Sequence, residues 1–392
     1  MSPPDLSIAP RQRLRGIDIL RGAVILLMAL DHVRTFFNVG GLTADPLNIA
    51  ATSGALYVTR WITNFCAPAF ILLAGVSAYL YGRKVADRLA LSRFLLSRGL
   101  WLIALEVTVI SFAWHFSIVH PGLGVIWAIG ASMAAMAVLT WLPRPVLWAV
   151  AVLILAGHNA IDAWPALHSG PLAPAWAAVL TGGVLHIGRW HVFATYAALP
   201  WLGFMTLGYL LGPAITEPAR AKQVRIIGVA MIYAFIVLRG HDGYGDADPW
   251  VMQPSLFATL GSFLDTDKYP PSLLFALMTL GPLLLILPSL EHAKGRFAEV
   301  LMVYGRAPLL FYVAHLFLAH ALMMAIGVAQ GLSPSLFVSF INDPARLTAA
   351  HWGFGLPAVY GVWIVVIVAL YPLCLWFGRL KARRRDWWLS YL

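Results

Sequence analysis

The stretch Gly16-Ile17-Asp18-Ile19-Leu20-Arg21-Gly22, which continues through Met28 to Asp31-His32-Val33-Arg34, places ionisable residues at both ends of an apolar run. An α-helix turns about 100° per residue, so Asp18, Arg21 and His32 fall on one face. Asp18 and Arg21 are three residues apart and can pair on that face, as a structural ion pair at the inner boundary of the membrane. A rise of about 1.5 Å per residue puts His32 roughly 21 Å from Asp18, most of the way across a hydrocarbon core of about 30 Å. A function has to explain this polar stripe in a membrane-length helix.

The composition is that of a polytopic membrane protein. Of the 392 residues, 60% are hydrophobic and 11% are charged, and the mean hydropathy is +0.78. These values exclude an ordinary soluble globule. A membrane-spanning helix needs about 20 apolar residues. We therefore predict an all-α bundle of about ten transmembrane helices, near residues 17–37, 57–81, 95–115, 123–142, 146–164, 195–213, 224–239, 271–289, 303–326 and 356–378.

The net charge of +10 fits the positive-inside rule. With a cytoplasmic N-terminus, most Lys and Arg residues fall at the inner ends of the helices. We predict cytoplasmic termini in a bacterial-type inner membrane, with one multi-pass transmembrane domain over residues 1–392. Residues 1–14 then form a cytoplasmic N-terminal segment, and residues 379–392 form a basic and aromatic cytoplasmic tail.

The same composition argues against several other classes of protein. No basic soluble segment is available to bind nucleic acid, so no nucleic-acid partner is expected. Cys66 and Cys374 lie in apolar runs, which leaves no disulfide framework. The histidine spacings match no common metal site, so no metal is expected.

Ionisable residues inside membrane spans are costly and mark functional sites. Asp31 and His32 are adjacent and therefore lie on different helix faces, whereas Arg34 is one turn from Asp31 and predicts an ion pair. His32 then needs a partner from another helix, for which Glu106 and His315 are the candidates. Since histidine titrates near neutral pH, His32 is the predicted general base.

Two further spans combine small and polar residues. In the second span, Gly75 and Ser77 permit close approach of a ligand, although packing between helices explains them equally well. In the ninth, Tyr312 lies one turn from His315, so two polar groups converge. No Gly-rich phosphate loop, G-x-S-x-G elbow or H-E-x-x-H helix occurs, which leaves soluble hydrolase and zinc-protease mechanisms without support.

The first span resembles that of the bacterial relatives of heparan-α-glucosaminide N-acetyltransferase, within the wider group of transmembrane acyltransferases. The resemblance covers almost the whole chain and implies a bundle that takes acetyl-CoA from the cytoplasm and acetylates a sugar on the other side. The supporting motifs are Arg15–Gly22 with Met28 and Asp31–Arg34, Phe65-x-x-Pro68-x-Phe70 with Gly75-x-Ser77, Pro200-Trp201-x-Gly203-x-Met205-x-x-Gly208, Lys268-Tyr269-Pro270-Pro271-Ser272 and Gly305-Arg306-x-Pro308.

One departure from the family pattern matters. The resemblance places an Asn of the lysosomal enzyme at His32 and its catalytic His eleven residues later, where this chain has Thr43. That catalytic histidine is therefore not carried over. Either His32 or another residue replaces it, and His32 is the one that we predict. Glucosamine as the acceptor does not follow from the resemblance either.

The leading hypothesis is a transmembrane acyl-CoA-dependent N- or O-acetyltransferase with acetyl-CoA as co-substrate. Its partners are acyl-CoA, a sugar or glycan acceptor and the lipid bilayer, and a homodimer is an open possibility. The predicted catalytic residues are His32, Asp31, Arg34, Glu106 and His315; those for the CoA are Arg21, Gly75, Ser77, Arg98, Arg306 and Tyr312; those for the acceptor are Asn64, Trp201, Lys268 and Tyr269.

Two alternatives belong to other classes. In a proton-coupled transporter or channel, buried Asp18, Glu106, His32 and His315 would form a relay, but no internal repeat is visible in the sequence. A membrane scaffold without chemistry leaves the buried stripe unexplained.

Overall fold

The computed structural model describes residues 14–118, 121–162, 164, 169–187, 190–384, 386 and 389. Helices make up most of the described part, and little sheet is present, so the all-α prediction is confirmed. Residues 1–13 of the predicted N-terminal segment lie outside the described residues, as do Trp387, Trp388 and Tyr391 of the predicted tail.

Most of the predicted spans are long apolar helices. Among the described residues, seven helical segments are long and apolar enough to cross a membrane. These are Gly54–Val85, Arg88–His115, Ala198–Thr216, Pro218–His241, Leu273–Leu290, Pro308–Ala329 and Leu356–Arg383. The protein is therefore an integral membrane protein with a polytopic helix bundle.

The remaining predicted spans are also helical but depart from a simple membrane helix. Helix α1 (Arg15–Phe37) has the length but carries charged residues at both ends. Helices α6 (Val125–Leu139) and α7 (Arg144–Gly157) have only 15 and 14 residues, fewer than the roughly 20 that a straight span needs. Every predicted span thus contains a helix.

Helix α1 is the central element of the bundle. Because other helices surround it, its ionisable side chains inside the bundle face neighbouring helices or the space between them, as the cost of charge in lipid requires. The helices packed against it are α3 (Cys66–Val85), α13 (Leu273–Leu290), α14 (Arg296–Gly305), α15 (Pro308–Ala329) and α17 (Leu356–Arg383).

Two glycines set the distance between α1 and α14. A Cβ atom on Gly22 would lie 1.9 Å from the carbonyl oxygen of Leu301, and one on Gly305 would lie 1.9 Å from that of Asp18. Small residues allow helix backbones to approach this closely in membranes. The contact places Asp18 next to the junction of α14 and α15, where Arg306 follows.

A π-helical turn interrupts the third predicted span. Helix α4 (Arg88–Leu105) continues through a π-turn at Glu106–Ile110 into α5 (Ser111–His115). Turns of this type are rare in proteins, and those that occur often lie at functional sites. Here the turn carries the buried carboxylate of Glu106.

The structure adds a small three-stranded sheet that the sequence does not predict. Its strand order is β1 (Gly122–Leu123), β3 (Trp190–Ala194), β2 (Gly183–Ile187). Strand β1 pairs in parallel with β3, and β2 pairs with β3 in antiparallel fashion. The remaining helices are α2 (Gly54–Ile62), α8 (Asn159–Asp162), α9 (Ala173–Trp176), α10 (Ala198–Thr216), α11 (Ala221–His241), α12 (Leu256–Leu264) and α16 (Ala345–Ala349).

Candidate active site

An open cavity of about 790 Å³ lies between α1, α3, α4, α6, α15 and α17. Helix α1 lines it with Asp18, Arg21, Ile25 and Met28, which recur at helical spacing on one face. The polar stripe predicted from the sequence is therefore the wall of a cavity, and its last member, His32, lies one turn beyond Met28.

One end of this cavity is cationic. Arg21 Nη1 lies 3.5 Å from Asp18 Oδ1, as the spacing predicts, and Arg21 Nη2 donates to Ser77 Oγ at 3.4 Å. Arg306 Nε lies 3.8 Å from the other carboxylate oxygen of Asp18. Among the described lining residues Asp18 is the single carboxylate, so this end has the net positive charge that phosphate groups require. The lining cations are Arg21, Lys84, Arg98, Arg306 and Lys381.

The other end of the cavity is apolar and reaches Tyr312. The ring centroid of Tyr312 is 5.9 Å from that of His32. The rise along α1 from Arg21 to His32 is about 16 Å, so the cationic end and the histidine are separated by much of the bundle. Ile25, Phe70, Leu102, Ile126 and Ile129 are among the apolar side chains of this end.

His32 and His315 are in direct contact at the apolar end. His32 Nδ1 lies 2.7 Å from His315 Nε2, and the two rings stack with their centroids 5.0 Å apart. His315 Nδ1 lies 2.9 Å from the carbonyl oxygen of Phe311. The edge of Trp114 contacts His32, with ring centroids 4.9 Å apart. His315 thus occupies the partner position that the sequence left open.

The neighbours of this pair assign its protons. A carbonyl oxygen only accepts, so His315 Nδ1 must carry the hydrogen that it donates to Phe311. In a neutral His315 the Nε2 atom is then a bare acceptor, and His32 Nδ1 must donate to it. A neutral His32 consequently keeps its lone pair on Nε2, the form that a general base needs.

Asp31 belongs to a separate ion cluster. Its Oδ1 atom accepts a hydrogen bond from Arg34 Nε at 3.1 Å, the pair that the helical spacing predicts, and Arg60 Nε lies 3.8 Å from the same oxygen. Among the described hydrogen bonds, neither Asp31 nor Arg34 reaches a ring nitrogen of His32. We did not predict Arg60, because no local pattern reveals which residue of α2 faces α1.

Glu106 binds backbone rather than His32. One carboxylate oxygen accepts from the N–H of Gly124 at 3.2 Å, and the other accepts from Ile126 and Trp127 at 3.1 and 3.2 Å. These N–H groups belong to the first turn of α6, which has no partner for them within the helix. Of the two candidates for the partner of His32, Glu106 is therefore not the one that contacts it, because both of its oxygens cap α6.

Three of the residues predicted to bind the sugar acceptor, Asn64, Lys268 and Tyr269, lie near Asp31 and Arg60. Asn64 Oδ1 accepts from Arg60 Nη1 at 2.9 Å. The ammonium of Lys268 lies 5.2 Å from the ring centroid of Tyr269, and its charge acts on both Asp31 and His32. These residues come from α2, the turn after it and the loop before α13, so only the fold brings them together.

Trp201 is set back from this cluster. It is completely buried in α10 and packs on Tyr196 with ring centroids 5.2 Å apart. Tyr196 in turn contacts Tyr269, with 3.4 Å between the two hydroxyl oxygens. Trp201 therefore supports Tyr269 through Tyr196. Among the described ring pairs, none joins Trp201 directly to Tyr269.

Gly75 and Thr43, which the sequence analysis singled out, lie outside the cavity. Gly75 does not line the cavity; a Cβ atom there would lie 2.0 Å from the carbonyl oxygen of Met205, so Gly75 serves the packing of α3 on α10. The alternative that packing explains this glycine is the one that the structure supports. Thr43 is exposed in the turn after α1, where its hydroxyl lies 3.5 Å from that of Thr348.

A comparison with protein families matches this chain over more than half its length. The model of the catalytic domain of heparan-alpha-glucosaminide N-acetyltransferase matches residues 13–242. This range includes α1 with Asp31 and His32, but Lys268, Arg306, His315 and Lys381 lie beyond it. No curated protein matches closely enough to add a nearer relative. With its buried polar stripe and helix bundle in place, the chain belongs to the family of heparan-alpha-glucosaminide N-acetyltransferase catalytic domains.

Proposed function

We propose that the protein transfers an acetyl or other acyl group from acyl-CoA, which enters from the cytoplasm, to an amine or hydroxyl of a sugar or glycan across the membrane. The observation that carries the proposal is one cavity that is cationic at one end and reaches the neighbours of His32 at the other. Membership of an acetyltransferase family supports acetyl as the group transferred. The membrane is then a bacterial-type inner membrane, with both termini in the cytoplasm.

The lining of the cavity fits the parts of CoA in order. Arg21, Arg98 and Arg306 offer guanidinium groups to the phosphates, which such groups bind in bidentate fashion. The pantetheine arm then follows the face of α1 past Ser77 toward Tyr312. This order leaves the thioester close to His32.

The chemistry requires one base. The nitrogen or oxygen of the acceptor attacks the thioester carbonyl carbon, the carbon–sulfur bond breaks, and CoA leaves as a thiolate. His32 Nε2 takes the proton that the acceptor loses. His315 accepts a hydrogen bond from His32 Nδ1 and so stabilises the imidazolium that forms.

Equilibrium binding of labelled acetyl-CoA to the purified protein in detergent tests this proposal. We expect saturable binding, competed by free CoA, and transfer of label to amino sugars or sugar hydroxyls supplied in a panel. Absence of saturable binding across CoA thioesters of different acyl length would refute the acyltransferase proposal.

The transporter alternative gains no support from the contacts. Asp18 pairs with Arg21 and Arg306 and lies about 21 Å along α1 from His32. The oxygens of Glu106 accept hydrogen bonds from three backbone N–H groups. A proton relay through these four residues would need additional groups between them.

The hydrogen bond between the two histidines leads to a prediction about His315. We expect His315→Leu to lower kcat about 10- to 100-fold, the effect of removing a hydrogen bond to a group that becomes charged. His315→Gln, which keeps an acceptor near the position of Nε2, should recover most of the rate. Nitrogen-15 NMR of labelled histidine should show His32 protonated on Nδ1 in the wild type and a mixture of tautomers in His315→Leu.

This measurement separates positioning from simple structural damage. A destabilised protein would lose activity in both variants, whereas positioning predicts recovery in His315→Gln together with the wild-type tautomer. If His32 of the wild type carries its hydrogen on Nε2, the assigned role of His315 is wrong.

A further inference from the structure

The Asp31 cluster, which consists of Asp31, Arg34, Arg60 and Lys268, carries more positive than negative charge. Arg34, Arg60 and Lys268 are 6%, 8% and 8% exposed, and Asp31 is the carboxylate that contacts Arg34 and Arg60. Three cations and one carboxylate leave two positive charges in a buried region. A buried charge without a counter-charge destabilises a protein strongly.

No nearby acid of the described chain supplies the missing charge. Lys268 contacts the ring of Tyr269, and no carboxylate lies within ion-pair distance of it among the described residues. Its sequence neighbour Asp267 is half-buried and close to Asp246, and these two effects raise the pKa of Asp267 to about 7. Among the described ion pairs none joins Asp267 to Lys268, so the charge of Lys268 has no direct partner on this neighbour.

The cluster also has hydrogen-bond donors in excess. Asn64 is completely buried and its Oδ1 accepts from Arg60, which orients the amide so that Nδ2 is its donor side. Asn64 Nδ2 has no acceptor among the described residues. The remaining bonds of the two arginines go to neutral oxygens of Thr35, Gly41, Thr63 and Asn64. A buried donor without an acceptor indicates a missing acceptor atom.

The field of the cluster extends to its exposed edge. Burial alone would raise the pKa of the Tyr269 phenol, yet the charges of Lys268 and Arg60 bring that pKa below its ordinary value. Tyr269 is 44% exposed, so the charges of Lys268 and Arg60 act on a side chain that solvent reaches.

We infer that Asn64, Arg60 and Lys268 form a subsite for an oxyanion, a carboxylate or phosphate group carried by the sugar that accepts the acyl group. An oxyanion supplies both what the cluster lacks, negative charge and acceptor atoms, and charge-assisted hydrogen bonds are the strong ones. The subsite lies near the proposed base, since the charges of Lys268 and Arg34 also act on His32. The identification of its ligand as the acyl acceptor rests on the proposed function.

Matched sugars that differ only in the acidic group test the inference. Binding to the purified full-length protein is measured by calorimetry with glucuronate against glucose, and with glucosamine 6-phosphate against glucosamine. We expect the acidic member of at least one pair to bind about 10- to 100-fold more tightly, the effect of a charged hydrogen bond. Which pair responds distinguishes a carboxylate from a phosphate.

Three substitutions assign the effect to the subsite. Lys268→Gln should remove the preference for the acidic sugar and Lys268→Arg should keep it, while the exposed Lys222→Gln on α11 should behave as wild type. Asn64→Asp retains the acceptor for Arg60 and adds a negative charge. It should therefore abolish acidic-sugar binding and raise the melting temperature, which a merely structural asparagine would not do.

The outcomes separate this inference from the proposed function. A protein that binds the acidic sugar through Lys268 but transfers no acyl group keeps the subsite and loses the acyltransferase proposal. Equal binding of acidic and neutral sugars by the wild type would overturn the subsite. Survival of the preference in both Lys268→Gln and Asn64→Asp would overturn it as well.

Discussion

Replacing His32 with Ala is expected to lower kcat for acyl transfer about 10²- to 10⁴-fold, the usual contribution of a general base. The reason is that His32 carries its free lone pair on Nε2, held in that form by the 2.7 Å contact of Nδ1 with His315. Binding of acetyl-CoA should change little, since His32 is not among the lining residues of the cavity. Transfer of label from acetyl-CoA, with binding measured in parallel, checks both statements.

A matched histidine guards against nonspecific effects. His292 is exposed in the connection between α13 and α14, and His292→Ala should retain the wild-type rate and melting temperature. If His32→Ala transfers acyl groups at the wild-type rate, the base is another group and the proposed chemistry is wrong.

Reversing the charge of Arg98 should weaken the binding of acetyl-CoA at the cationic end of the cavity. Arg98→Glu is expected to raise the KM for acetyl-CoA about 10- to 100-fold, because a phosphate loses a charged donor and meets a carboxylate. The kcat should stay within about threefold, since binding that is equal in the ground state and the transition state changes KM alone. Initial rates over a range of acetyl-CoA concentrations measure both constants.

Helix α4 supplies the control for this substitution. Arg93 lies five residues earlier on the same helix, is exposed and does not line the cavity. Arg93→Glu makes the same charge change and should leave KM near the wild-type value. Equal increases in KM for both variants would indicate a general surface-charge effect and would contradict the assignment of the cavity to CoA.

The sequence predicted the helices well because membrane helices follow a local rule. A run of about 20 apolar residues is visible without knowledge of any neighbour, and each predicted span contains a helix. The pairs Asp18–Arg21 and Asp31–Arg34 could also be predicted from the sequence, because residues three apart on one helix are neighbours whatever surrounds them. The face that carries Asp18, Arg21 and Met28 followed from the same periodicity.

Contacts between helices were not accessible in this way. Glu106 and His315 were equal candidates for the partner of His32, and the choice depended on how α15 and the π-turn pack against α1. The same dependence explains Gly75, whose role was decided by the backbone of α10, and Arg60, whose contact with Asp31 was missed.

By itself, then, the sequence determined a helical membrane protein with a polar stripe through its first span and a resemblance to transmembrane acyltransferases. Helical periodicity and hydrophobicity act within one segment, so one segment suffices to read them. Only the tertiary structure decided that the stripe lines a cavity, that His315 contacts His32, and that Arg60 lies beside Asp31. His32 and His315 lie 283 residues apart in the chain, and Asp31 and Arg60 belong to different helices. The distances between them are therefore set by packing across the bundle.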